Sequence, residues 1–425
     1  MDYWYYTQHD EEHGPLSSVQ MRALIDEKQI GAKTLVWSEA TGGRWLPLSR
    51  TVLVEALVED EEHPGDQARS AFIRASTRIN QYVGEEGSAD FHLKNLFSNV
   101  FKRHSREEAE LVFISGTPLT TPNEQEIPLS WPKPWLFSRV LLVLVITYLI
   151  LYGCTLFFGN VLTIPGMIAI GSFAAPFALV VFFYELNAPR NISMLRVLQM
   201  FFVGGVASIF VTLILYSFIP IGEIGFFSAI VIGVVEEVGK LIIIAYLIKK
   251  TQVKYILNGL LIGAAVGAGF AAFESAGYAL NFGLQYGTGV MIDVIFERGW
   301  LSIGGHVVWG AIIGAALLLV KRDEPLQRKH VADRQFLKIF IIPVLLHAVW
   351  DMPITLFPDS RFVQLILIAV AWYLILTMIQ AGLRQIAALH INGKKPDQAV
   401  EDGMEAEAMS RGQTMSRMGR KDKKE

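Results

Sequence analysis

Eight apolar runs, near residues 136–158, 163–185, 197–219, 224–248, 255–282, 300–320, 337–357 and 362–384, are each long enough to cross a bilayer. A hydrocarbon layer of about 30 Å takes roughly 20 residues of helix. Inside that layer each backbone N–H and C=O must find its partner within the protein, so the helix is the expected element. The fold class that follows is mainly α, a polytopic helical bundle of about eight transmembrane helices. Hydrophobic residues make up 52% of the 425-residue chain and the mean hydropathy is +0.38, too apolar for an ordinary soluble protein of this length. The fifth run carries Gly259, Gly263 and Gly267 at four-residue spacing, a ridge that lets another helix approach closely. It is expected to be central.

Charge in the short loops is lopsided. Lys133, Arg139, Arg190, Arg196, Lys249, Lys250, Lys254, Lys321, Arg322, Arg328, Lys329, Arg334, Lys338, Arg384, Lys394 and Lys395 fall on one side, and only Arg298 and Arg361 on the other. The positive-inside bias makes the first side cytoplasmic, so a multi-pass protein of the cell membrane, surrounded by lipid, is expected with both termini in the cytoplasm. An even number of spans agrees with this, as does a polar, aromatic start without the apolar centre of a secretory signal. A single cysteine, Cys154, excludes an intramolecular disulfide. The net charge of -3 and the lack of any basic module speak against nucleic acid as a partner.

Four regions are expected along the chain: a small α+β cytoplasmic domain at 1–52, a helical spacer and proline-rich linker at 53–134, the membrane domain at 135–386, and a disordered tail at 387–425. In the first, residues 4–6 suggest a strand, Gly14 and Pro15 a turn, 17–27 an amphipathic helix and 34–37 a second strand. Residues 66–82 and 91–110 are helix-prone, whereas Pro118, Pro122, Pro128, Pro132 and Pro134 enforce extended chain before the first span. Trp4, Tyr5, Tyr6, the run Gly14, Pro15, Leu16, Ser17, then Met21, Leu24, the run Thr34, Leu35, Val36, Trp37, and Trp45 resemble the bacterial relatives of the GYF domain, although the Gly-Tyr-Phe triplet itself is absent. That resemblance implies capture of a proline-rich peptide, and aromatic grooves suit a preformed polyproline II segment.

An ionisable side chain at bilayer depth costs about 2.5–3.5 kcal/mol even on a lenient scale. Four runs carry such groups: Glu236, Glu237 and Lys240 in the fourth, Glu274 with Tyr278 in the fifth, His306 with Trp309 in the sixth, and His347 with Trp350 and Asp351 in the seventh. Residues three or four apart share a helix face, so Glu236 pairs with Lys240, Glu274 with Tyr278 and His347 with Asp351, while Glu237 turns about 100° from Glu236. At ~1.5 Å per residue, Glu236, Glu274, His306 and His347 lie about 18, 12, 9 and 15 Å from the outer ends of their helices, one layer in the outer half of the membrane. A desolvated carboxylate there can take a proton from water, and histidines opposite can polarise a carbonyl, stabilise an oxyanion or hold a metal. No HExxH helix is present. His306, His347 and a glutamate make an acceptable ligand set for zinc, but Lys240 disfavours a cation and tilts the expectation to a metal-free carboxylate base. Trp309, Trp350 and Tyr278 suit packing or interfacial anchoring, and Asp293, Glu297 and Arg298 suit a solvated loop before the sixth span.

The motifs Glu236-Glu237-Val-Gly-Lys240, Phe273-Glu274-Ser-Ala-Gly-Tyr278, His306 and His347-Ala-Val-Trp350-Asp351, on successive runs in this order, resemble the PrsW family of intramembrane proteases within the CAAX-protease superfamily. The likeness covers roughly residues 135–385 and implies cleavage of membrane-anchored proteins, anti-sigma factors in some bacteria. By motif position Glu236 is then the general base, Glu237 and Lys240 its paired support, His306 and His347 the water- or oxyanion-binding groups, and Glu274 and Asp351 their props. The rival classes are a transporter or proton-coupled channel, which also buries carboxylates and histidines, and an inert membrane scaffold. A transporter built of inverted repeats would show two similar halves, and none is visible.

Overall fold

The computed structural model describes the chain apart from residues 1–2, 9–10, 27–28, 42–43, 52, 54–73, 79, 82–92, 220–224, 355–360 and 394–425. The N-terminal unit is an antiparallel sheet of strands β1 (Trp4–Gln8), β2 (Glu11–Leu16), β3 (Leu35–Trp37) and β4 (Leu46–Pro47) in the order β2-β1-β3-β4, with helix α1 (Ser18–Asp26) beside it. Alternation along β1 turns Trp4 and Tyr6 into a core with Met21, Ile25, Val36 and Leu48, and leaves Tyr5 at the surface edge against Trp37, ring centroids 5.5 Å apart. Trp4 Nε1 donates to Ser18 Oγ at 3.2 Å, which ties the sheet to the start of α1. Gly14 and Pro15 sit within β2, a strand absent from the sequence expectation, rather than in a turn. The pairing of Trp4 with Leu16 and Tyr6 with His13 extends the ladder through them.

Between this unit and the bundle, the expected helix over 91–110 is broken into Leu93–Leu96 and α2 (Arg106–Phe113), the latter opened by a capping box at Ser105 and Glu108. Of the stretch at 66–82, residues 74–78 and 80–81 are helical, and 66–73, 79 and 82 fall outside the described residues. The proline-rich linker has no regular structure at 131–135, but Pro118 lies in a turn closed by Thr120 and Thr121 N–H on the Thr117 carbonyl, and a 3-10 turn follows at Glu124–Glu126, so the chain is not extended throughout as expected. It is fastened to the membrane half: Tyr184 Oη donates to Ser115 O at 2.9 Å, and Glu124 pairs with Lys254 and accepts from Tyr255 Oη at 3.1 Å.

All eight apolar runs are helical: α3 (Leu136–Phe158), α4 (Ile164–Leu186), α5 (Met194–Phe218, with a π-turn at Met200–Gly204), α6 (Phe226–Thr251), α7 (Ile256–Tyr286), then α8 (Thr288–Leu301) leading into α9 (His306–Lys321), α10 (Arg334–Asp351) and α11 (Phe362–Gly393). Among the described residues six spans qualify as membrane-crossing by length and composition, with α8 and α9 counted as one. The other two, α6 and α10, are long enough but carry more charge, and part of that charge is the chemistry described below. Residues 387–393, expected in the tail, continue α11. Asp293, Glu297 and Arg298 lie on helix α8 rather than in a solvated loop.

Helix α7 is central, with 94% of its apolar window buried. Its Gly259, Gly263 and Gly267 face Gly314, Gly310 and the His306 carbonyl of α9 so closely that a Cβ at any of them would overlap backbone. Backbone contact of this kind replaces the hydrophobic drive that lipid cannot supply. It also fixes the height of His306 against α7. At the far side Glu185, near the end of α4, accepts the backbone N–H groups of Trp135, Leu136 and Phe137 at 2.9, 3.0 and 2.9 Å and so caps α3.

Candidate active site

Helices α6, α7, α9 and α10 bring Glu236, Glu274, His306 and His347 to one cavity of about 620 Å³, also lined by Tyr216, Tyr278, Arg298, Trp309 and Asp351. Glu237 and Lys240 are fully buried.

The partners differ from those that helix spacing suggests. Lys240 Nζ pairs with Glu237 Oε1 at 2.6 Å rather than with Glu236, because Glu237 turns inward beside α10. The same Glu237 oxygen lies 2.7 Å from His347 Nδ1. A carboxylate on one ring nitrogen orients the imidazole and leaves the other nitrogen facing the cavity. His347 Nε2 is then 3.3 Å from Asp351 Oδ2, as the one-turn spacing predicts, and 3.7 Å from Glu236 Oε2. Trp309 stacks on the His347 ring at 4.5 Å and Phe270 lies under the Lys240 ammonium at 4.6 Å, so apolar faces close the site from behind.

Glu236 has a partner that no motif signals. Tyr216 Oη, from α5, donates to Glu236 Oε1 at 3.0 Å, while Glu236 Oε2 is buried and accepts no hydrogen bond from any described group. Glu274 is gripped by Arg298, whose Nε also donates to Ser275 Oγ at 2.9 Å and whose guanidinium lies 4.4 Å over the Tyr278 ring. Tyr278 therefore meets Glu274 through Arg298. Tyr216 carries no signal in the sequence beyond being a hydroxyl near the end of an apolar helix. Arg298 could have been found, since it is one of two basic residues on the outer side and Glu274 lies in the neighbouring run.

His306 opens α9 and uses both ring nitrogens: Lys240 Nζ is 2.8 Å from Nδ1 and Glu274 Oε2 is 3.1 Å from Nε2. An ammonium can only donate, so Nδ1 accepts and the Nε2 proton goes to Glu274. Glu236, His306 and His347 each offer a ligand atom within 4.8 Å of the others, and the orphaned Glu236 Oε2 and oriented His347 Nε2 fit a divalent metal. His306 fits only after giving up Lys240 or Glu274.

A family model described as PrsW family intramembrane metalloprotease matches residues 193–379, from just before α5 into α11, and one described as GYF domain 2 matches residues 4–51. Protease PrsW of Halalkalibacterium halodurans is 26% identical over 217 residues, which is 49% of this chain and 93% of that protein. No solved structure matches. The metalloprotease description runs against the metal-free expectation drawn from Lys240. The chain carries a PrsW-family intramembrane protease domain behind an N-terminal GYF domain.

Proposed function

We propose that this chain hydrolyses a peptide bond of a membrane-anchored protein at the cavity between α6, α7, α9 and α10, with Glu236 as the group that takes the proton of the attacking water. The observation that carries the proposal is Glu236 Oε2, buried, unpartnered and 3.7 Å from His347 Nε2. Tyr216 holds the other oxygen, which fixes the carboxylate plane. A water between Oε2 and His347 loses a proton to Glu236 as it attacks the scissile carbonyl. His347, held through Nδ1 by Glu237, turns Nε2 towards the oxyanion, whereas His306 can donate there only after its Nε2 proton leaves Glu274. The proton on Glu236 then passes to the leaving amine. A metal, where bound, would be held by Glu236, His306 and His347 and would polarise the water and the carbonyl.

Glu236→Gln tests this reading in purified protein with a membrane-anchored reporter substrate. Cleavage is expected to be lost with insertion and folding intact; normal cleavage sinks the assignment. Metal content, and activity after chelation and re-addition, decide whether the three ligands act together on an ion. Chelation that leaves activity whole assigns proton transfer to Glu236 alone.

The basic bias of one set of loops supports cytoplasmic termini, and a cytoplasm-dependent reporter is then expected to work when fused near Arg328 and fail near Gly287. The GYF domain takes a proline-rich segment through the surface pair Tyr5 and Trp37, since Trp4 and Tyr6 are spent on the core. The chain's own linker is already engaged by Tyr184, Lys254 and Tyr255, which favours a partner in trans. Deleting residues 1–50 is expected to alter which substrates are cut while the membrane site stays active. An unchanged substrate range refutes the docking.

A further inference from the structure

A second cavity, of about 370 Å³, lies where the linker meets the end of α4 and the start of α3. Lys133 and Arg190 line it, and neither forms an ion pair among the described residues. Its one carboxylate, Glu185, has both oxygens committed to the backbone N–H groups of Trp135, Leu136 and Phe137. The cavity therefore carries two cations against one carboxylate whose oxygens are already bonded, an excess of positive charge. Arg190 is fixed in place: its backbone has φ +43°, its N–H donates to Asn187 O at 2.8 Å and its carbonyl accepts from Thr121 Oγ1 at 3.3 Å.

We propose that this cavity binds the phosphate headgroup of an anionic phospholipid. Its height supports the assignment, for Trp135 leads into α3 and Tyr184 and Glu185 end α4, so its walls stand at the membrane surface, and Trp131 and Trp135 are the amphipathic rings that settle at that level. The end of the bundle is the basic one, where α6 closes on Lys249 and Lys250. Basic pockets between helices at such an end select anionic headgroups. A lipid rather than a free anion is favoured by α3, none of whose apolar window is buried. Leu142, Val143, Ile146, Leu149 and Ile150 are exposed along it and offer the acyl chains an apolar track leading away from the headgroup. The guanidinium fork supplies paired donors to the phosphate oxygens and the ammonium a third.

The test uses the full chain purified in neutral detergent, with phosphatidylglycerol, phosphatidylcholine or inorganic phosphate added, read by native mass spectrometry and by thermal unfolding. Phosphatidylglycerol is expected to be retained and to raise the unfolding midpoint. The pair Lys133→Gln and Arg190→Gln is expected to weaken retention about 30-fold, from ~1 kcal/mol per cation near an anionic headgroup. The pair Lys249→Gln and Lys250→Gln, at the same end but outside the cavity, is expected to retain it. Equal retention of phosphatidylcholine, an equal loss in the control pair, or the same shift from inorganic phosphate overturns the proposal. If the double substitution unfolds the chain, Lys133→Gln alone must lower retention in the folded protein, and unchanged retention overturns it too.

Discussion

Alanine substitution along α7 is expected to split sharply by position. At Gly263 a new Cβ would overlap the Gly310 carbonyl oxygen and stand 2.6 Å from its carbon, where ordinary contact begins at 3.4 Å. The obstruction is backbone, so no side chain can rotate aside, and α7 and α9 must separate by at least about 0.8 Å, the difference between those two distances, and by more to clear the oxygen, which is nearer still. Overpacking of this kind costs ~1–3 kcal/mol, and two facing backbones put Gly263→Ala near the top of that range. Replacing glycine in a helix returns ~1 kcal/mol, which leaves a net loss of about 2 kcal/mol. His306 opens α9 one turn beyond Gly310 and carries the displacement to the site, where a 1 Å misplacement costs on the order of 10²-fold in rate. Gly277, on the same helix, has nothing within 4 Å of its Cβ, so Gly277→Ala keeps only the propensity gain. Thermal unfolding in detergent and cleavage of a reporter measure both. A Gly263→Ala protein as stable and active as the parent, or a Gly277→Ala protein equally damaged, refutes the reasoning.

Tyr216→Phe is expected to lower kcat at least about tenfold with little change in KM, because a hydrogen bond to a charged group is worth roughly 1.5–3 kcal/mol; unchanged kcat would show that Tyr216 does not orient Glu236. Lys240→Met strands the Glu237 charge and is expected to cost ~3–5 kcal/mol. Adding Glu237→Gln should recover most of that stability without activity, and a double variant as unstable as the single one contradicts the pairing. Lys254, with Tyr255 adding to its effect, holds the Glu124 carboxyl below the usual carboxylate range. Its contribution to linker docking is therefore present above that range and lost as pH falls through the lowered value. Hydrogen exchange across residues 118–130 is expected to quicken on acidification in the parent and to be already fast at neutral pH in Glu124→Gln; equal protection in both would show that the ion pair does not hold the linker.

The bundle and the meeting of its chemistry were legible because burial of charge in lipid is costly enough to mark a residue. Glu236, Glu274, His306 and His347 stand out from apolar runs for that reason, and the cavity collects all four. The glycine spacing of α7 was equally plain, since only a backbone approach gives a reason for it. What spacing cannot fix is the rotation of neighbouring residues against helices distant in sequence. Lys240 is within reach of both Glu236 and Glu237 along α6, and it is His347 on α10 and Tyr216 on α5 that divide the two carboxylates. Tyr216 left no trace because a tyrosine near a helix end is ordinary at a membrane surface. Strand β2 was hidden by Gly14 and Pro15, whose local preference for a turn gives way to pairing with β1.

The cap that Glu185 places on α3 bears on how the chain is made. Helix α3 leaves the ribosome with its first amides bare, and the carboxylate that serves three of them follows some fifty residues later on α4, as the separation of 50 between Trp135 and Glu185 records. With none of its apolar window buried, α3 has little else to hold its start in register. The two helices therefore complete each other as a hairpin, and a nascent chain arrested between them would carry a first helix with a frayed, unpaired end in the insertion machinery.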